Sequence, residues 1–396
     1  MTLVELLIVV AIILLLLVTV IPNLAPTADQ KCREAALTVT AAITRAQSRA
    51  AQNTGRGAGL WLQPLEDSAM VAGDTTRGSA DLFVCEPQDS YTGDDPALAT
   101  AFIQQTDSLT KMAVLIFSLK SCPFIHEVCS QSSLFQFNGN PATYFFRLKT
   151  TAEKNTLSDT YFPAPYRADD RDPKRYTAAQ IQSRDNIAIA FIKSRDEAAP
   201  PAATHDNYAP PPSEQNLPGE GDQAGVPFLI SRPGTRSASP PLSLPTGFVV
   251  DTAWSCVGTT LLTNTLSRRN GTPVNVRCID NFLSNYPVHI MFNESNGAIE
   301  QLRYKLQVAG FGIVDEERTV TSDIYLLIGR ADRAGNPYVS NPADDTIGAN
   351  WQYPDSRWIR ISRSTGETLI ADPVLKVSDV FQSQRYARSG LDATRK

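Results

Sequence analysis

Histidine is scarce: the chain has three in 396 residues, which leaves little material for a His-rich metal centre or a His-based catalytic triad. No serine sits in a nucleophile-elbow context and no glycine-rich phosphate loop follows a predicted strand. Asp94-Asp95, Asp169-Asp170-Arg171-Asp172 and Asp344-Asp345 lack the spacing of a calcium loop and read as solvated loop acids. These absences point away from an enzyme and supply no cofactor or metal site. Basic residues do not dominate either. The net charge is -5 and the sequence pI about 5.4, so no nucleic-acid partner is expected. No Lys or Arg precedes Lys31, which removes the basic start that a signal peptide carries. Charged residues are only 19% of the chain against 42% hydrophobic, which excludes wholesale disorder.

The apolar residues are concentrated at the start. From Leu6 to Ile21 only Ala11 and Thr19 interrupt a run of Leu, Ile and Val, and Leu3 and Val4 extend it past Glu5. Fourteen such residues favour a bilayer by roughly 4–8 kcal/mol, more than the ~3 kcal/mol cost of an acidic residue at its centre. The composition therefore predicts a membrane-spanning segment. Thr2 and Glu5 also fit a helix capping box, with Glu5 at the positive end of the helix dipole. Pro22 and Pro26 cannot donate backbone hydrogen bonds, and a kink is expected there.

The first residues, MTLVELLIVVAIILLLLVTVIP, resemble the start of a mature type IV pilin or type II secretion pseudopilin. Thr2, Leu3, Glu5, Leu6, the Ile8–Ile13 stretch and Pro22 match that pattern. Met1 stands where phenylalanine is commoner, and Leu14 where many pilins have glycine. The resemblance implies a leader removed by a prepilin peptidase that also methylates the Met1 amine. It further implies assembly through Glu5, Thr2 and Leu3, and a helix kink at Pro22. The implied partners are other pilin or pseudopilin subunits, inner-membrane lipid and an assembly platform. The implied location is a single pass of the inner membrane with an extracytoplasmic head, then a periplasmic or cell-surface filament. Lys31 and Arg33 after the span argue for the opposite orientation by charge alone. The rival expectation is a single-span anchored extracytoplasmic binding protein or enzyme that does not polymerise.

Beyond Pro26 the pattern changes period. Thr27 and Gln30 form a predicted capping box. Ala28, Cys32, Ala35, Val39, Ala42, Ile43, Ala46 and Ala50 then recur at helical spacing, with Lys31, Arg33, Glu34, Arg45 and Arg49 mostly off the stripe. After Gly59 the chain alternates as strands. Ten are predicted, among them Gly59–Gln63, Met112–Leu119, Val288–Phe292, Gln301–Val308 and Arg357–Ser362. Ser295-Asn296-Gly297 and Ser364-Thr365-Gly366 read as hairpin turns. The pieces 45–64, 288–302 and 357–370 faintly resemble the head of H-type minor pseudopilins. The expected fold is α+β: a long N-terminal hydrophobic and amphipathic helix, a pilin-like stalk, packed on a mainly antiparallel β head with a Pro-rich insertion. The expected segments are a transmembrane or filament-core helix over 1–26, an amphipathic stalk helix over 27–55, head parts over 56–197 and 246–396, and a Pro-rich linker or insertion over 198–245.

Six cysteines make an even count that predicts disulfides, with Cys122–Cys129 and Cys256–Cys278 the local pairs among fifteen connectivities. Cys122, His126 and Cys129 alternatively outline a partial metal site without a fourth ligand, and free thiols are the remaining reading. His205 lies in the Pro-rich stretch and His289 in a predicted strand.

Overall fold

The computed structural model describes residues 27–53, 57–65, 78–95, 99, 101–107, 112–129, 132–138, 143–156, 179, 182–195, 227–262, 268–269, 272–273, 279, 282–283, 286–308, 312–339, 348–375, 377 and 379–389. The expected 1–26 helix lies outside the described residues.

Helix α1 runs from Ala28 to Gln52. Its start is fixed by the predicted box: Gln30 N donates to Thr27 Oγ1 at 3.2 Å, and Thr27 N donates to Gln30 Oε1 at 2.9 Å. Asp29 in the first turn complements the helix dipole and meets Arg33 at 3.1 Å, while Arg357 pairs with the same carboxylate. One face is made of small residues. Cys32, Ala35, Ala36, Val39, Ile43, Ala46 and Ala50 are all fully buried. Small side chains let the helix lie close on a sheet, and that sheet is large.

The main sheet follows the order β17-β16-β15-β1-β2-β11-β18-β19-β20, antiparallel throughout. Its members are β1 (Ala58–Pro64), β2 (Gly78–Glu86), β11 (Phe248–Val257), β15 (Val288–Phe292), β16 (Ile299–Val308), β17 (Gly312–Thr319), β18 (Ile324–Arg330), β19 (Arg357–Ile361) and β20 (Thr368–Ala371). Short β9 (Thr235–Arg236) and β10 (Leu242–Ser243) add to β2, and β12 (Thr260–Leu261) adds to β11. Alternation turns Leu60, Leu62, Ile290, Leu302, Leu326 and Ile359 toward α1. The helix touches strands from β15 round to β19, so the sheet curls about it. Two hairpins meet at the far end: Ile299 N donates to Arg363 O at 3.0 Å. Gln47 of α1 ties their turns, donating to Gly297 O at 3.2 Å and Gly366 O at 2.7 Å.

Gly366 has φ +69°, and a Cβ there would lie 2.0 Å from Gly297 O. Gly366→Ala is therefore expected to destabilise the full chain by about 2–3 kcal/mol, from left-handed strain plus a backbone clash. Urea unfolding measures it, and an unchanged midpoint would show that the turns part freely.

Between β2 and β9 the chain leaves this sheet and builds a second one, in the order β3-β4-β7-β6-β5-β8. Its strands are β3 (Ala101–Asp107), β4 (Met112–Ser118), β5 (Ser132–Phe137), β6 (Thr143–Leu148), β7 (Ile187–Ser194) and β8 (Phe228–Ser231). One face holds an aromatic core in which Phe117, Phe135, Phe146 and Phe228 stack edge-on and face-on at 5.0–6.4 Å. The other face packs Ile116, Leu134 and Phe191 against Val308 and Val314 of β16 and β17. A third core, with Trp254, Trp351 and Trp358, covers the side of β11, β18 and β19 away from α1.

Three expectations need correction. The fold is mainly antiparallel β, and no long apolar helix is present among the described residues. The expected pilin-like stalk is corrected as well: helix α1 ends at Gln52, and its small-residue face is buried in the sheet from Cys32 to Ala50, while Ala28 stays exposed. None of the described helices is long and apolar enough to cross a membrane, so the transmembrane segment and the single-pass inner-membrane location with an extracytoplasmic head lack support. Of the expected linker or insertion over 198–245, the structure describes residues 227–245. Residues 228–243 contribute β8, β9 and β10, and β1 and β2 share a sheet with the later half of the chain. The second sheet is thus an insertion into the first.

Candidate functional site

Sheet register builds the most unusual polar site among the described residues. On the face of the main sheet away from α1, cross-strand neighbours form one row: Phe83, Trp61, His289, Arg303 and Glu317. Alternation puts Leu60 and Leu62 inward and therefore Trp61 outward, and likewise Ile290 inward and His289 outward. The Trp61 and His289 rings lie 4.2 Å apart and tilted by 32°. Arg236 covers Trp61 and Phe83, with its guanidinium 5.4 and 4.7 Å from the ring centres.

The inserted sheet roofs this row. Ser231 Oγ donates to Glu317 Oε1 at 3.0 Å, and Arg195 pairs with Glu316 and donates to Glu317 O at 2.8 Å. Arg303 Nε meets Glu317 at 3.1 Å, and Lys305 meets Asp315 at 2.7 Å. Between row and roof is a cavity of about 180 Å³, walled by Leu134, Pro233 and Pro287 on its apolar side. That is far more space than one water needs.

His289 lines this cavity and is only 6% exposed, yet neither ring nitrogen has a hydrogen-bond partner. Arg303 Nη1 is also buried and without one. Buried polar groups are normally satisfied, so two such neighbours in one cavity require explanation. Burial, with Arg303 and Lys305 alongside, pushes the His289 pKa down to about 3. The imidazole is therefore neutral at physiological pH, offering one N–H donor and one acceptor. Burial likewise raises the Glu316 pKa, opposed by Arg195.

The residues singled out from sequence fare differently. Met1, Thr2, Leu3, Glu5 and Pro22 lie outside the described residues, as do Cys278, His205, Asp169–Asp172 and Asp344–Asp345. Asp94 is structural: it accepts from Tyr91 Oη at 2.6 Å and from Phe124 N at 3.3 Å. No group of three or more His, Cys, Asp or Glu that could hold a metal occurs among the described residues.

The disulfide expectation is corrected. Cys32, Cys85, Cys122, Cys129 and Cys256 are free, buried thiols. Cys122 and Cys129 flank a helical turn, α2 (Ile125–Val128), as members of the aromatic core, and Cys256 accepts from Gln384 Nε2 at 2.6 Å. Burial pushes Cys32, Cys85, Cys129 and Cys256 up to about 12. Alkylation of these thiols at pH 8 is expected to be at least about a hundredfold slower in the native chain than in urea. Mass spectrometry after timed labelling measures this; rapid native labelling would mean that the cores open.

Trp61, Arg303 and Glu317 escape sequence reading. The alternation Arg303-Tyr304-Lys305 hints at a charged outer face, but only register places it beside His289. No family model matches the chain, and neither a curated protein nor a solved structure matches it.

Proposed function

We propose that this chain is a filament subunit of the type IV pilin and pseudopilin kind, a minor subunit and not an enzyme. The observation that carries this reading is the sequence MTLVELLIVVAIILLLLVTVIP with its acidic fifth residue. In a filament such segments pack side by side, and the carboxylate of Glu5 pairs with the Met1 amine of a neighbouring subunit. The partners on this reading are other pilin or pseudopilin subunits, a prepilin peptidase and an assembly platform.

Two features support it. Thr27 and Ala28 are exposed at the capped start of α1, so the apolar segment joins the head at its surface. The head also carries a whole second sheet inserted between β2 and β9, a bulk that suits a sparse subunit better than a close-packed shaft. The test is to shear filaments from the native host, purify them, and probe them with antiserum against the head. The chain is expected in the filament fraction at low stoichiometry. Its absence from every filament preparation would end the proposal.

A further inference from the structure

We propose that the cavity between the two sheets is a binding site for a small organic carboxylate. Two buried groups already point to a missing acceptor. Arg303 Nη1 has a hydrogen to donate and no partner, and His289, in the same cavity, has a free N–H. Arg303 Nε and Nη2 are held by Glu317 and Gln301, so Nη1 is its one free donor, and a carboxylate has two oxygens, one for Nη1 and one for His289.

Charge agrees. The cavity wall itself is balanced, Arg232, Arg303 and Lys305 against Asp315, Glu316 and Glu317, and Arg195 and Arg236 stand behind it on Glu316 and Trp61. The three carboxylates meet Arg195, Arg303 and Lys305. Arg232 donates to the Asp89 carbonyl at 2.6 Å and Arg236 lies on aromatic rings, so neither of these contacts neutralises its charge. The flanking Arg195 and Arg236 therefore tip the local charge toward positive, which favours an anion over a cation. The cavity is too large for an inorganic ion alone, and Leu134, Pro233 and Pro287 offer an apolar wall. The ligand that fits is a carboxylate on a small apolar body. The shared chemistry has two sources, a free acid or the C-terminus of a polypeptide.

Water alone filling the cavity makes a different prediction, since it discriminates no charge. The experiment is calorimetry and histidine NMR on the full chain with benzoate, with benzylamine as its cationic counterpart. Benzoate is expected to bind with a roughly millimolar Kd or tighter and to move the His289 resonances, while benzylamine leaves both unchanged. Arg303→Gln should weaken benzoate binding tenfold or more, with partial rescue by Arg303→Lys. His289→Gln, which preserves net charge, gives a second reading if Arg303→Gln fails to fold, and should weaken binding severalfold. An acetylated dipeptide ending in phenylalanine, compared with its amide, separates the sources: preference for the free-carboxylate peptide over benzoate assigns a polypeptide terminus, and the reverse a free acid. No benzoate binding, equal binding of benzylamine, or undiminished benzoate binding by both variants would overturn the proposal.

Discussion

A chain carrying Glu5→Gln is expected to fold its head normally and to be lost from filaments. Glu5 is set among Leu3, Val4, Leu6 and Leu7. In a filament core built from such segments, a carboxylate among Leu and Ile side chains is costly unless paired. No cation lies nearby in the same segment, since the first is Lys31. The amine at Met1 of a neighbouring subunit is the partner that the pilin resemblance implies. Removing one member of such a buried pair costs about 3–5 kcal/mol, because the other charge is left uncompensated. That is about two to four orders of magnitude in each docking equilibrium. Glutamine keeps the shape and loses the charge, so a purely steric role would survive the substitution. Wild type and variant are compared in sheared-filament fractions, with thermal unfolding of the head as the control. Equal incorporation with equal head stability would remove the assembly role from Glu5.

The parts of the fold that were legible in the sequence are those governed by neighbours in the chain. Thr27 and Gln30 mark the start of α1 because a capping box involves residues three apart. Strands such as Val288–Phe292 and Arg357–Ile361 announce themselves by β-branched and aromatic content. The edge strand β17, Gly312-Ile-Val-Asp-Glu-Glu-Arg-Thr319, hides because half of it is charged, and its three carboxylates find partners on β16 and at Arg195 after β7. The proline-rich stretch misleads for a related reason. Proline content argues against pairing in a central strand, yet Phe228–Ser231 lies at a sheet edge, and β9 and β10 are two residues each. The Ala-rich stripe of α1 announces packing on a sheet, but how far the sheet curls round it depends on strand order, which the stripe does not record. The cavity is invisible for a deeper reason. Trp61, His289 and Arg303 are over two hundred positions apart at the extremes, and only strand register makes them neighbours. An even cysteine count, in turn, says nothing about whether core packing keeps each thiol apart.

Raising the pH from 4 to 7 is expected to withdraw the stabilisation that one residue, Asp251, gives the fold, against an opposite contribution from His289, whose pKa is lowered on folding. Its carboxyl is fully buried on β11, where the pairing with β18 shifts register between Asp251 and Cys256. It accepts hydrogen bonds from Asn350 Nδ2 at 2.9 Å, Ala253 N at 3.2 Å and Gly335 N at 3.3 Å. These contacts fasten the segments after β18 to the sheet. They also favour the charged form, but burial outweighs them and pushes the Asp251 pKa up to about 6. The unfolded value is about 3.9. Between those two values the folded chain binds the proton more tightly, so this group's stabilisation is complete below about pH 4 and is lost as pH rises through about 6. Two pKa units correspond to about 3 kcal/mol. Asp251→Asn removes the ionisation and should flatten that part of the profile, though it turns an amide N–H toward Asn350, whose own amide is held by Arg330 N and O at 2.9 and 3.1 Å. Asp251→Ala removes the acceptor shared by Asn350, Ala253 and Gly335 and should cost about 3–5 kcal/mol near pH 5. Urea unfolding of wild type and Asp251→Asn at pH 4.5 and 7.5 separates this residue from every other titrating group, because only the difference between their pH dependences is read. If that difference is zero, Asp251 does not titrate in this range, and its donors hold it charged despite the burial.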